Sequence, residues 1–138
     1  MGILSRVRKH SSAFPSTALA VPLFEDWLER SEFPDAGLRD RVKLAGEEIL
    51  DNLIRHSRLS PDSKIRVLLR VLGRDVTLSF FFRSSAFREF AWSGGAPRAV
   101  YDSKERRWRG LGLFMIDSLA ENVRYRAGVI KDRIDASF

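Results

Sequence analysis

Apolar positions follow two rhythms along this chain. Between Ser16 and Ser31, Leu19, Leu23, Trp27 and Leu28 recur at helical spacing behind Ser and Thr residues able to cap a helix, and Pro22 is set to kink or delay it. Asp35, a good N-cap, precedes longer helical text from Leu38 through His56, in which Val42, Ala45, Ile49 and Leu53 line one face. The rhythm then changes to runs. Ile65 to Leu72 and Val76 to Phe82 are rich in Val, Leu, Ile and Phe and flank Gly73-Arg74-Asp75, which predicts an antiparallel hairpin. Their near-continuous apolar character predicts cover on both faces.

Beyond position 83 the periodicity fades. Ser93 to Arg109 reads as a long loop of the lid type that covers a ligand. Helical spacing returns over Leu111 to Asn122, and Val123 to Arg126 with Ile130 to Phe138 predict a final hairpin around Ala127-Gly128. A strand near Arg6 to Phe14 fits at the front, where residues 1–13 read as either a flexible lead or an edge strand. The expected fold class is therefore α+β: one domain over 1–138, with helices near 16–31, 38–56 and 111–122 on one face of a mixed, mainly antiparallel sheet. Neither internal repeats nor low-complexity text interrupts it.

Composition narrows the chemistry. The 138 residues include no Cys and only two His, His10 and His56, so structural zinc sites, thiol catalysis and a three-His metal centre are excluded by ligand count, while a carboxylate-held magnesium is not. Lys and Arg number 24 against 18 Asp and Glu, a net charge of +6, which favours an anionic ligand or partner. Arg55, Arg58, Arg66 and Arg70 belong to this basic surplus and could steer an acidic protein. No apolar stretch approaches the ~20 residues of a membrane span. Arg6, Arg8 and Lys9 ahead of Ala18 to Phe24 imitate a signal peptide only in outline, since Pro22 breaks the run and Glu25-Asp26 follow it. With Arg6 at position six the myristoylation pattern fails as well.

Two segments carry candidate chemistry. Glu48, Asn52 and His56 stand at i, i+4 and i+8 on the long helix and form a polar stripe beside its apolar face. A carboxylate and an amide carbonyl one turn apart can orient a hydroxyl and hold a hydrated Mg²⁺; such pairs also decorate ordinary surface helices. Glu47 and Asp51 are expected on the opposite, solvated side, with Asp51 paired to Arg55. The second segment, Arg109-Gly110-Leu111-Gly112, precedes a helix, where two glycines let a phosphate approach backbone N–H groups or simply allow a tight turn against the sheet. A third feature, Lys104-Glu-Arg-Arg-Trp-Arg109, sets cations beside an indole and suits nucleic acid, although the same arginines could meet nucleotide phosphates or solvent.

Together the first two segments resemble a known family. Ala45-Gly-Glu-Glu48-Ile-Leu-Asp-Asn52-Leu-Ile-Arg-His56 is similar to the N-box of the GHKL, or histidine-kinase-like, ATPase superfamily, and the text from Arg109 to Tyr125 is similar to its second glycine box. The bacterial anti-sigma factor serine kinases are the members it most resembles, over roughly residues 14 to 138. The resemblance implies a two-layer Bergerat-type fold, Mg-ATP as cofactor, Glu48 as general base and Asn52 as magnesium ligand. His56, Arg109, Gly110, Leu111 and Gly112 are its implied nucleotide contacts. It implies a cytoplasmic partner-switching regulator of transcription whose partners are a sigma factor, an anti-anti-sigma protein or both, with a homodimer also admitted and a membrane not expected. The first glycine box departs from the pattern: Phe82, Ser84 and Ala86 stand where an Asp and two glycines are expected. The alternatives are thus a pseudokinase that binds a partner without nucleotide and, ranked below it, a basic nucleic-acid-binding domain.

Overall fold

A computed structural model describes residues 7–56, 59–60, 62–83, 100–102, 107–109, 119–126 and 131–138. Its elements run β1 (Arg8–Pro15), α1 (Ala20–Glu29), α2 (Ala36–His56), β2 (Lys64–Leu72), β3 (Asp75–Phe82), β4 (Val100–Asp102), β5 (Arg107–Arg109), β6 (Asn122–Arg126) and β7 (Asp132–Ser137). Five strands form one sheet in the order β1-β2-β3-β7-β6, and β4 pairs with β5 separately. Every pairing among the described residues is antiparallel, so the mixed sheet expected from sequence is replaced by a uniform one. The paired β4 and β5 also correct the reading of 93–109 as loop throughout.

The β2–β3 hairpin forms as expected, with Gly73 supplying the positive φ of +60° at its turn. Cover on both of its faces does not. Ile65, Val67, Leu69 and Val71 are buried while Lys64, Arg66, Arg70 and Leu72 are exposed, so the sheet has one covered and one open face. The leucines and valines of β2 hide that alternation in the text, because Leu68 and Leu72 are apolar yet point outward. Glu121 already donates its N–H to the carbonyl of Ser137 at 2.8 Å. Asn122 then opens β6, so helical structure ends before Ala120 instead of reaching 122.

Pro22 delays the first helix to Ala20, where it occupies the first turn and its missing N–H costs no intrahelical bond. No side chain caps this start; the carbonyl of Thr17 accepts the N–H of Ala20 instead. The buried face is Ala20, Phe24 and Leu28, with Trp27 at its flank, whereas Leu19 and Leu23 are exposed. That is a rotation of the expected face. Helix α2 behaves as read: Asp35 caps it by accepting the Leu38 N–H at 2.7 Å, and Val42, Ala45, Ile49 and Leu53 are fully buried. The bond from Leu38, aided by the Arg74 guanidinium, holds the Asp35 carboxyl below its ordinary range.

The two helices meet at one close approach. Phe24 lies over Gly46, where a Cβ would come within 2.3 Å of the ring and 3.0 Å of Leu78 on the sheet. Phe24 also packs edge-on against Phe14 at 5.9 Å and lies 6.3 Å from Phe80, linking α1, α2 and the sheet through one ring. Gly46→Ala should therefore destabilise by about 1–3 kcal/mol despite the ~1 kcal/mol gain in helix propensity. Urea denaturation measures it, and adding Phe24→Leu should return part of the loss.

Candidate functional site

The polar stripe on α2 forms at the margin of the core. Asn52 is buried and Glu48 half-buried, one helical turn apart, beside the fully buried Ile49 and Leu53. Burial raises the Glu48 carboxyl above its ordinary value, and Asp51 adds to the rise while Arg55 opposes it. The buried Asn52 amide nitrogen has no hydrogen-bond acceptor among the described residues. A buried, unsatisfied amide costs about 1–3 kcal/mol, a cost a ligand oxygen or water can offset. With the hard oxygens of Glu48 and Asn52 beside it, this corner fits a hydrated Mg²⁺ and phosphate oxygens.

The other predicted contacts are placed less fully. His56 closes α2 and Arg109 ends β5, while Gly110, Leu111 and Gly112 lie outside the described residues. The expected Asp51–Arg55 pair forms at 3.1 Å. Glu47, by contrast, is not simply solvated: it is half-buried and shares a hydrogen bond with Glu25 of α1. Burial first, then the charge and hydrogen bond of Glu25, push its carboxyl up to about 7, with Lys43 opposing and Glu48 adding to the rise. This carboxyl pair was missed because its partners come from different helices and share no sequence spacing.

A second missed group surrounds Phe82. The ring is buried at the end of β3 and stacks on Tyr125 with centroids 6.5 Å apart. Directly across the β3–β7 register stands Asp132, only 3% exposed, whose Oδ2 accepts the Tyr125 hydroxyl at 2.8 Å. A carboxylate thus lies on the covered face one strand away from the position where the first glycine box would supply one. Its only sequence signal is one of two Asp residues inside a strand-like run.

The family profile of the histidine kinase-like ATPase domain matches residues 14–136. The chain belongs to that family. Among solved structures, this ATPase-family chain is similar to the RsbU and RsbW domains of Rv1364c from Mycobacterium tuberculosis, with a TM-score of 0.62 and 14% identity over 94% of its own length. It spans 31% of that larger protein, and the likeness supports the fold. No curated protein sequence matches it. The α2 stripe lies within the matched span. No helix among the described residues is long and apolar enough to cross a membrane.

The Glu25–Glu47 pair gives this domain a pH signature. A carboxyl whose folded pKa is raised binds its proton more tightly in the native state than in the unfolded one, so stability is greatest below the ordinary value of 4.5 and declines as pH rises toward about 7. Denaturation midpoints should fall between pH 5 and pH 7.5. In Glu47→Gln that slope should flatten, and the variant should be the more stable protein at the upper end.

Proposed function

We propose that this chain is a GHKL-type regulator of the anti-sigma serine kinase kind, which binds Mg-ATP against α2 and a sigma or anti-anti-sigma protein elsewhere. The observation that carries the reading is the pairing on one turn of α2 of a carboxyl with raised proton affinity and a buried amide lacking an acceptor. In this reading Asn52 turns its carbonyl to the metal, and His56, Arg109, Gly110, Leu111 and Gly112 line the nucleotide. Bound Mg-ATP would supply the phosphoryl group. Glu48 takes the proton from the Ser or Thr hydroxyl of the partner. Its elevated pKa suits that task, since a base is most effective when its pKa lies near the working pH.

A second reading has its own support. Phe82 is buried against Tyr125 where the resemblance expects the Asp that accepts the adenine amino group, which favours a pseudokinase that binds its partner without nucleotide. An unmet adenine amine costs about 1–3 kcal/mol, roughly 5- to 150-fold in affinity. Asp132, across the strand pair, is the nearest acidic substitute.

Calorimetry with Mg-ATP and Mg-ADP separates the two: heat of binding supports the kinase reading and its absence the pseudokinase. If the chain phosphorylates a partner, Glu48→Gln should lower turnover by about 10²–10⁴ while leaving the folded state and nucleotide affinity intact. Unchanged turnover would remove Glu48 from the base role. Phe82→Asp with Ser84→Gly tests the alignment, and it needs Asp132→Asn alongside, because two carboxylates directly opposed across a strand pair repel. Tighter Mg-ADP binding by the triple variant is the expected result.

A further inference from the structure

Charge is divided between the two layers. Residues 20–56, which contain both described helices, carry nine carboxylates and five cations, and four of those cations sit in ion pairs with helix carboxylates. The open face of the sheet is the reverse. Strand alternation turns Lys9, Lys64, Arg66, Arg70, Arg124 and Arg126 outward, all exposed and none in an ion pair with a carboxylate of the described residues. Of the two outward acids, Asp135 is already held by Arg133 at 2.8 Å and by the Ser79 hydroxyl.

The register sets Lys64, Arg66 and Arg126 at one end and pairs Lys9 with Arg70 toward the other. Arg66, Phe81, Arg133 and Arg126 follow one another across β2, β3, β7 and β6, so Arg126 and Arg133 stand directly opposed as like charges. Asp135 answers Arg133, which leaves the exposed Arg126 beside it without a described carboxylate. Beside this row a cavity of about 230 Å³ opens between Ala13, Lys64, Arg66, Phe81, Arg83 and Lys131. Arg55, which sequence grouped with Arg66 and Arg70, lies on α2 in the other layer and is paired; Arg58 lies outside the described residues.

We infer that this cationic end of the open sheet face docks an acidic segment of a protein partner, with carboxylates entering the cleft between Lys64, Arg66 and Lys131. The geometry favours protein over nucleic acid. Single-stranded nucleic acid on a sheet face needs free aromatic platforms, and the one described aromatic facing outward here, Phe81, is covered by the Arg133 guanidinium 5.0 Å from its ring. Leu68, the next outward residue of β2 after Arg66, offers aliphatic contact instead, which suits a protein surface. Charge complementarity of this kind steers association and weakens with salt. The site needs neither Glu48 nor a bound nucleotide, so it goes beyond the kinase reading and stands if that reading fails.

The test is fluorescence anisotropy of a labelled oligo-glutamate peptide with the full chain and no nucleotide. Binding should weaken as ionic strength rises, and Lys64→Glu with Lys131→Glu should lower affinity about tenfold or more, while the same charge change made by Arg30→Glu with Arg41→Glu should have little effect. Acetylation footprinting of the unmodified chain gives a second measurement that requires no variant: peptide should protect Lys64 and Lys131 and leave Lys43 reactive. Equal losses in both double variants, or equal protection of all three lysines, would overturn the site. So would absence of binding at low ionic strength. Tighter binding of a single-stranded oligodeoxynucleotide of equal charge would overturn the choice of a protein partner.

Discussion

The contact of Phe24 with Gly46 is the constraint on which the rest of the arrangement depends. A ring from α1 reaches the backbone of α2 only because residue 46 has no side chain, and the same ring packs with Phe14 and Phe80 of the sheet region. Fully burying such a side chain contributes about 1.5–3 kcal/mol, and aromatic contacts add about 0.5–1.5 kcal/mol each. The larger consequence is positional. With α2 held by Gly46, its next turn sets Ile49 into the core and leaves Glu48 and Asn52 at the core's edge, where a carboxyl is partly desolvated and an amide is buried.

Desolvation then decides the chemistry available on α2. Glu47 and Glu48 are adjacent in sequence and both carry raised carboxyl pKa values, yet for different neighbours: Glu47 faces Glu25 across the helix pair, whereas Glu48 has Asp51 and Arg55 on its own helix. The first joins α1 to α2 and responds to pH through the fold. The second is half-buried at the core's margin. Two adjacent glutamates thus differ in surroundings by which side of α2 each occupies, and the role proposed for a base falls to Glu48.

A one-sided sheet has a further effect. Because the described helices cover only one face, the outward residues of β2, β6 and β7 are free to carry charge, and exposed cations of the described residues gather there while most helix-layer cations are neutralised in pairs. The covered face can therefore serve a ligand and the open face a partner without competing for the same residues. That separation suits a regulator that must hold both.

What the sequence alone determined were the features with local causes. The Asp35 cap, the α2 core face, the Asp51–Arg55 pair and the Gly73 hairpin each depend on residues within a few positions of one another, so spacing sufficed. Three features needed the tertiary structure. Leu19-Leu23-Trp27 and Ala20-Phe24-Leu28 are equally good helical rows, and only the Gly46 approach selects the second. The apolar text of β2 conceals a single covered face, because Leu68 and Leu72 look inward in sequence and point outward in the sheet. The carboxyl pair of Glu25 with Glu47, and Asp132 beside Phe82, join residues 22 and 50 positions apart. Periodicity reports which way a side chain points along its own element; which other element it meets is fixed by packing and strand register, and those are properties of the folded chain.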